Sequence, residues 1–542
     1  MLPAPERPAA RPVEPERTVA GPAPCGKRLR GRPPRAGPSQ VRETAVMRTL
    51  LRDGRIHSPE APDGSALVIE DGGIAWIGDE DGAQSLVEAP EAVDAIVDLA
   101  GALVTPAFVD ARVQMTDIGL RLLAVDLGGA ASLREALDAL ERDARSSRGR
   151  PVLGVGWSAA AWPEGRGPSA AELDRAGYGG TVLVIDRDGA GAASTPVLRA
   201  AGLPGDAAPL SGGALAAATT AVKAMLLPGS RASAQRAALE AAAAAGVGSV
   251  HEFAGPSDTG AADLAALLAA AGEPGAPLVL AYWAQLGAVE AARELGAVGL
   301  ADTLGDGAAP VEAAARAEHL LACAQAGLQS AFDAATADAL DSVLESFALA
   351  AARTEPIRIH GAGHRIERAA AIADPARLAA RGLLVSAQPG RIADLAAVSA
   401  AGVPLAFGSD APYDRSAVAP FDPWGTIQAA VYGADSAAGG GRAARGISPR
   451  AAFTAHTRGG WRAVRGEHDG SGVIRAGAPA HLAIWAAGGL GMDAVDARVS
   501  RWSTDEQANL PGLPELQPGV QLPRCLRTIV AGRIAFDAGE LD

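Results

Sequence analysis

The sequence predicts an α/β protein: a TIM-like (β/α)8 barrel with a small composite β-sandwich domain built from both chain ends. Three observations predict it. Between residues 105 and 470, short apolar runs of strand length alternate with helical segments, and such repetition implies a parallel sheet, most commonly closed as a barrel. Residues 47–104 and 471–542 carry short strands separated by turn signals instead. Finally, 542 residues are enough for a large barrel and an accessory domain.

The tail comes first. Residues 1–46 hold 10 of the 38 prolines and carry nine basic residues against four acidic ones, a balance of +5 in a chain of net charge −14. They show no hydrophobic period, which reads as a disordered tail. They also lack the apolar core of a secretory signal. Met47 opens a strand-like run, so a native start at Met47 is an alternative expectation. In the first flank, Ala66–Glu70 and Ile74–Ile77 bracket Asp71-Gly72-Gly73, a hairpin signal. In the last flank, Leu482–Trp485, Arg527–Val530 and Gly532–Phe536 read as strands. These ends, 47–104 and 471–542, are expected to pair into one sandwich.

In the middle, strands are expected at Ala107–Val109, Val152–Val155, Val182–Ile185, Gly248–Val250, Leu278–Ala281, Leu328–Phe332, Arg358–His360, Leu383–Ser386 and Pro404–Phe407. Helices are expected at Ser132–Arg145, Arg231–Ala245, Pro310–Ala326, Ala337–Ala351 and Pro449–Ala455. Segment 190–240 is rich in Ala, Gly and Ser and reads as an insertion after an early strand.

Composition narrows the function. No run of about 18 strongly apolar residues occurs, so no membrane span is expected. Cys25, Cys323 and Cys525 are too few and too scattered for a disulfide framework or a Cys-rich zinc module. The acidic balance argues against nucleic acid as a partner. Arg30-Gly-Arg-Pro in the tail resembles an AT-hook, but Arg, Gly and Pro are overused throughout the chain. A cytoplasmic location and a small-molecule ligand are expected; oligomeric state is left open. Only Lys27 and Lys223 are lysines among the 48 basic residues, a bias that a GC-rich genome explains.

Several motifs then coincide in order. They are Leu103-Val-Thr-Pro-Ala-Phe-Val-Asp-Ala-Arg-Val-Gln-Met-Thr, Gly246-Val-Gly-Ser-Val-His-Glu-Phe-Ala-Gly-Pro, Gly327-Leu-Gln-Ser-Ala-Phe-Asp, His364-Arg-Ile-Glu-Arg, Pro404-Leu-Ala-Phe-Gly-Ser-Asp-Ala-Pro and Ala455-His-Thr-Arg. Together they resemble the amidohydrolase superfamily, in its amidohydrolase-3 branch of N-substituted formamide deformylase-like proteins. The resemblance implies a hydrolase of non-peptide C–N bonds in a small amide or formamide substrate, with a metal, usually zinc, that activates water. It also implies metal-binding histidines on the barrel strands and an aspartate on the eighth.

The chain departs from that pattern at the chemistry. Arg112 and Gln114 stand where the family has His-x-His. Asp333 replaces a histidine after Phe332, Arg368 replaces the last histidine of His-Arg-Ile-Glu-His, and Asp188-Gly-Ala-Gly replaces Asp-Gly-His-Ser. Arginine offers no lone pair to a metal, and glutamine is a poor ligand beside imidazole. Neither lysine lies where a carbamylated lysine would bridge two metals.

Two readings follow. In one, His251, Glu252 and Asp410 are catalytic and, with Asp333, hold a single divalent ion such as zinc or act as acid and base. In the other, which the charges favour, no metal binds. Arg112 and Arg368 then neutralise Asp410, Asp333 or Glu252 in its place, since unpaired buried carboxylates are costly, and the protein is a pseudoenzyme that binds a small molecule or a protein partner. Gln114 and His364 complete the set of candidate ligand-binding or charge-compensating residues. His57, His319, His468 and His481 are expected to be solvated. His456 is expected to pack or cap a helix, His360 to end a strand, and Trp157, Trp162 and Trp424 to line a pocket or pack. No nucleophile elbow supports Ser-His-Asp catalysis.

Overall fold

The computed structural model describes residues 47–542 except 90–92, 148, 257–259, 305–310, 393, 412–419, 434–445, 467–469 and 492–511. The tail 1–46 and His468 therefore lie outside the described residues.

Eight parallel strands form one sheet: β1 Phe108–Val113, β2 Val247–Ala254, β3 Leu278–Ala284, β4 Gly299–Ala301, β5 Gln329–Asp333, β6 Arg365–Glu367, β7 Leu384–Ala387 and β8 Leu405–Phe407. The sheet closes where the amide of Asp410 donates to the Arg112 carbonyl at 3.0 Å and that of Gln114 to the Ala411 carbonyl at 2.9 Å. This is the expected (β/α)8 barrel. Fully buried parallel strands need apolar outer faces. Phe332, Ile366, Val385 and Phe407 provide them and pack against helices such as α5 Ala313–Ala326 and α6 Ala337–Ala351.

The two chain ends meet as expected. One sheet comes from residues 49–98 alone; the other joins Arg55–Ile56 and Leu103–Pro106 to Leu482–Ala486, Arg524–Val530 and Arg533–Asp537. Leu51, Ile69, Val104, Ile484 and Ile529 fill the space between. Asp71 and Gly72 both have positive φ, 50° and 78°, the twist that a two-residue hairpin needs.

The insertion differs from expectation. Val152–Trp157 and Val182–Asp186 do not join the barrel. They pair with each other and with Val125–Asp126 and Gly191–Ala193 in a separate four-stranded sheet. Its helices include α2 Gly212–Ala224. The inserted unit thus begins near residue 125 rather than 190. It ends before α3 Pro228–Ala244, which leads into β2. An apolar run announces a strand but not its partner. A second difference is that Arg358–His360 lies in a short helix, Pro356–His360, which opens with proline at its first turn. The barrel strand comes five residues later, at Arg365–Glu367, and β4 was not foreseen.

His57, His319 and His481 are buried, not solvated. His319 takes a backbone amide and the Ser330 hydroxyl as partners. His456 packs as expected, its Nδ1 at 2.9 Å from the Val109 carbonyl oxygen. Trp157 stacks on Trp162 inside the inserted unit, and Trp424 lies in the main core.

Candidate functional site

Alternation along the strands decides which side chains meet inside the barrel. His251 and Phe253 share one face of β2 and contact Arg365 and Arg112. On β6, Arg365 and Glu367 share the inner face, with Ile366 between them in the outer core. The register between β1 and β2 shifts between Val250 and Glu252. Such a bulge re-aims a side chain, and here Arg112 reaches the interior.

Arg112 is 3% exposed. Its Nε donates to Asp410 Oδ1 at 2.9 Å and one terminal nitrogen to the Leu304 carbonyl at 2.8 Å. The other lies 3.6 Å from Glu367 Oε2. The guanidinium also sits 4.2 Å above the Phe253 ring, a cation–π contact. Arg368, at the end of β6, grips Asp333 in a two-toothed pair, Nε to Oδ1 at 3.0 Å and a terminal nitrogen to Oδ2 at 2.5 Å. Arg365, wholly buried, donates to Glu367 Oε1 at 2.8 Å, the Ala111 carbonyl at 2.6 Å and His251 Nδ1 at 2.8 Å. Three arginines thus face three carboxylates: Arg112, Arg365 and Arg368 against Asp410, Glu367 and Asp333.

Arg365 and Glu367 were not singled out from sequence. The signal was their period of two on β6, a strand that the sequence places instead at Arg358–His360. Asp110 was also missed. Its Oδ1 accepts the amides of Ser409 and Arg112. Burial pushes its carboxyl up to about 7, against those hydrogen bonds and with a further push from Asp410. Burial likewise raises Asp410, although Arg112, Arg368 and Arg391 all act to lower it.

Two predicted site residues lie elsewhere. Glu252, on the outer face of β2, accepts the Met115 amide at 2.8 Å. It belongs to a polar cluster with Asp117, Asp263 and Lys223 against α1 Met115–Leu122, α2, α3 and α4 Ala261–Ala271. Burial first, then those two aspartates, hold its carboxyl well above the usual range. His364 precedes the inward-facing Arg365 and so faces outward; its Nδ1 accepts the Ser330 amide and its ring packs on Phe332 and Phe347. Burial, with a smaller push from His319, lowers His364 to about 3. Gln114 is buried at the end of β1, with no hydrogen bond to either amide atom.

A divalent metal would need open donors on several of these side chains. Asp410, Glu367 and Asp333 each have an oxygen held by a guanidinium. Arginine is always a donor, so His251 Nδ1 is the acceptor and a neutral ring carries its proton on Nε2, with no lone pair left to offer. Among the described residues no group of three or more His, Cys, Asp or Glu is placed to hold a metal ion. As placed, the three carboxylates are each engaged by an arginine.

The Amidohydrolase family profile matches residues 95–536. The chain therefore belongs to the amidohydrolase family, the class that its ordered motifs resemble. Among solved structures it is similar to an uncharacterized metal-dependent hydrolase from Pyrococcus horikoshii OT3. The TM-score is 0.62 at 21% identity, covering 82% of this chain and 98% of that one. An uncharacterized metal-dependent hydrolase from Pyrococcus furiosus gives 0.62 at 22% identity, covering 81% and 98%. At these identities the likeness shows the fold. No curated protein matches significantly. Among the described residues, no helix is long and apolar enough to cross a membrane.

Proposed function

We propose that this member of a hydrolase family does not carry out metal-dependent C–N hydrolysis, and that its barrel binds a small molecule in a non-catalytic role. The Arg112 guanidinium, lodged between Asp410, Glu367 and the Leu304 carbonyl, carries the reading. A divalent cation beside it would meet steep repulsion in a low dielectric. Arg112, Arg365 and Arg368 thus already supply cations to Asp410, Glu367 and Asp333 without a metal. Gln114 at the mouth offers a donor and an acceptor for an uncharged polar ligand.

A second reading keeps C–N hydrolysis of an amide or formamide substrate. Family membership and the presence of His251 and Asp410 in one interior favour it. Metal analysis of the purified chain, with hydrolysis assays on N-acyl and formamide substrates, separates the two. The proposal expects no bound zinc and no turnover. Near-stoichiometric zinc, lost in Asp410→Asn or His251→Gln, would overturn it. A cytoplasmic location, without membrane or nucleic acid as partner, is part of the same proposal; recovery of the chain in a membrane fraction would contradict it.

A further inference from the structure

A cleft lies at the opposite end of the barrel from the Arg112 cluster. Pro106, just before β1, and Pro404 and Leu405, at the start of β8, place it at the N-terminal ends of the strands. Its volume is about 600 Å³, within the range of small-ligand sites. This end of a barrel normally serves stability, not binding, so a cleft of that size needs its own account.

The lining is lopsided in charge. Among the described residues, Arg450, Arg458 and Arg462 contribute to it and no acidic residue does, although acids outnumber bases 62 to 48 in the chain. Arg458 and Arg462 stand one turn apart on the short helix Arg458–Arg462, and both are exposed. Neither forms an ion pair or side-chain hydrogen bond among the described residues. Burial, and then the neighbouring Arg458 cation, hold Arg462 below its ordinary range, as two uncompensated like charges should. The cleft is also lined by apolar Val403, Leu405, Phe453 and Val473, and the His57 ring packs on Phe453 at 4.9 Å. Polar contacts are left to Ser399, Thr454 and Thr457.

We propose that this cleft binds a small organic anion with an apolar body, its carboxylate or similar head taken by Arg458 and Arg462 and its body laid on Leu405 and Phe453. Guanidinium–carboxylate contacts give charge-assisted hydrogen bonds, and the apolar wall rewards a ligand that bare phosphate cannot mimic.

Calorimetric titration of the full chain with 4-phenylbutyrate, its uncharged amide and inorganic phosphate tests this. The expected result is saturable binding of the carboxylate, with the amide and phosphate each about tenfold weaker or worse. Arg458→Gln/Arg462→Gln should weaken the carboxylate by about tenfold or more while the circular dichroism melt is unchanged; if the pair does not fold, each single variant should show about threefold. Arg391→Gln, at the other end of the barrel, should leave binding as it was. Equal affinity for acid and amide, equal affinity for phosphate, no binding, or loss in Arg391→Gln with retention in the double variant would each overturn the proposal.

Discussion

Arg365 is the centre of the barrel's charge cluster, and Arg365→Met measures what that cluster is worth. The guanidinium is 0% exposed and donates to Glu367, His251 and the Ala111 carbonyl, with its cationic carbon 4.8 Å above the Tyr282 ring. Methionine keeps the length and loses every donor. It leaves Glu367 Oε1 buried with its nearest remaining cation, Arg112, on the other oxygen at 3.6 Å. Breaking one side of a buried pair costs about 3–5 kcal/mol, and the orphaned Ala111 carbonyl adds about 1–3 kcal/mol. A loss of roughly 4–8 kcal/mol is expected, followed by guanidinium chloride unfolding read through the buried tryptophans. The decisive comparison is Arg365→Met/Glu367→Leu. Removing the second charge should return about 2–3 kcal/mol of the loss, a coupling between neighbours. A single-variant loss below about 1 kcal/mol, or strictly additive effects, would refute a tightly paired interior.

Other outcomes are expected elsewhere. Asp110, raised from 3.8 to about 7, binds its proton more tightly folded than unfolded. Its contribution to stability is therefore full below about pH 4 and falls as pH rises toward 7, by at most about 4 kcal/mol. Asp110→Asn, which keeps the acceptor for Ser409 and Arg112, should flatten that fall in melts across pH 4–7. His364 has the opposite sign. Lowered from 6.5 to about 3, it stabilises the fold above pH 6.5 and loses that contribution as pH falls below it, so His364→Asn should lessen the loss between pH 6 and 4. Lys223→Met removes the buried partner of Asp117, now 3.0 Å away, at a cost of about 3 kcal/mol or more. Because Lys223 sits on the inserted unit and Asp117 on α1, hydrogen exchange should rise first over residues 125–226.

Much of the fold was legible because strand and helix leave local signatures. Ala337–Ala351 coincides with its helix, and Leu278, Leu328, Leu383 and Pro404 open runs that became barrel strands. Partnership was not legible. Val152 and Val182 head apolar runs like those of the barrel, yet their hydrogen bonds go to each other. The pairing of Arg112 and Arg368 with Asp410 and Asp333 could be reasoned from charge, since buried ions need partners. Glu252 and His364 could not, because one step along a strand turns a side chain to the opposite face. Glu252 follows His251 and His364 precedes Arg365, so each sits beside an inward residue and faces out. Arg365 and Glu367 were hidden for the converse reason: a strand of only three residues gives too little alternation to recognise.

The seam between the chain ends has a consequence for synthesis. Strand Leu103–Pro106 waits for Leu482–Ala486, and Trp485 bonds to Thr105 across 380 residues. Strand β1 fares no better, since its neighbours are β2, beyond the whole inserted unit, and β8, nearly 300 residues on. While the ribosome works through the middle of the chain, β1 hangs with both edges unpaired, and Leu103–Pro106 has only the short strand Arg55–Ile56 on one edge. Such long-range closure is slow and exposes sticky edges. The inserted unit, whose four strands lie within 70 residues of one another, can fold meanwhile.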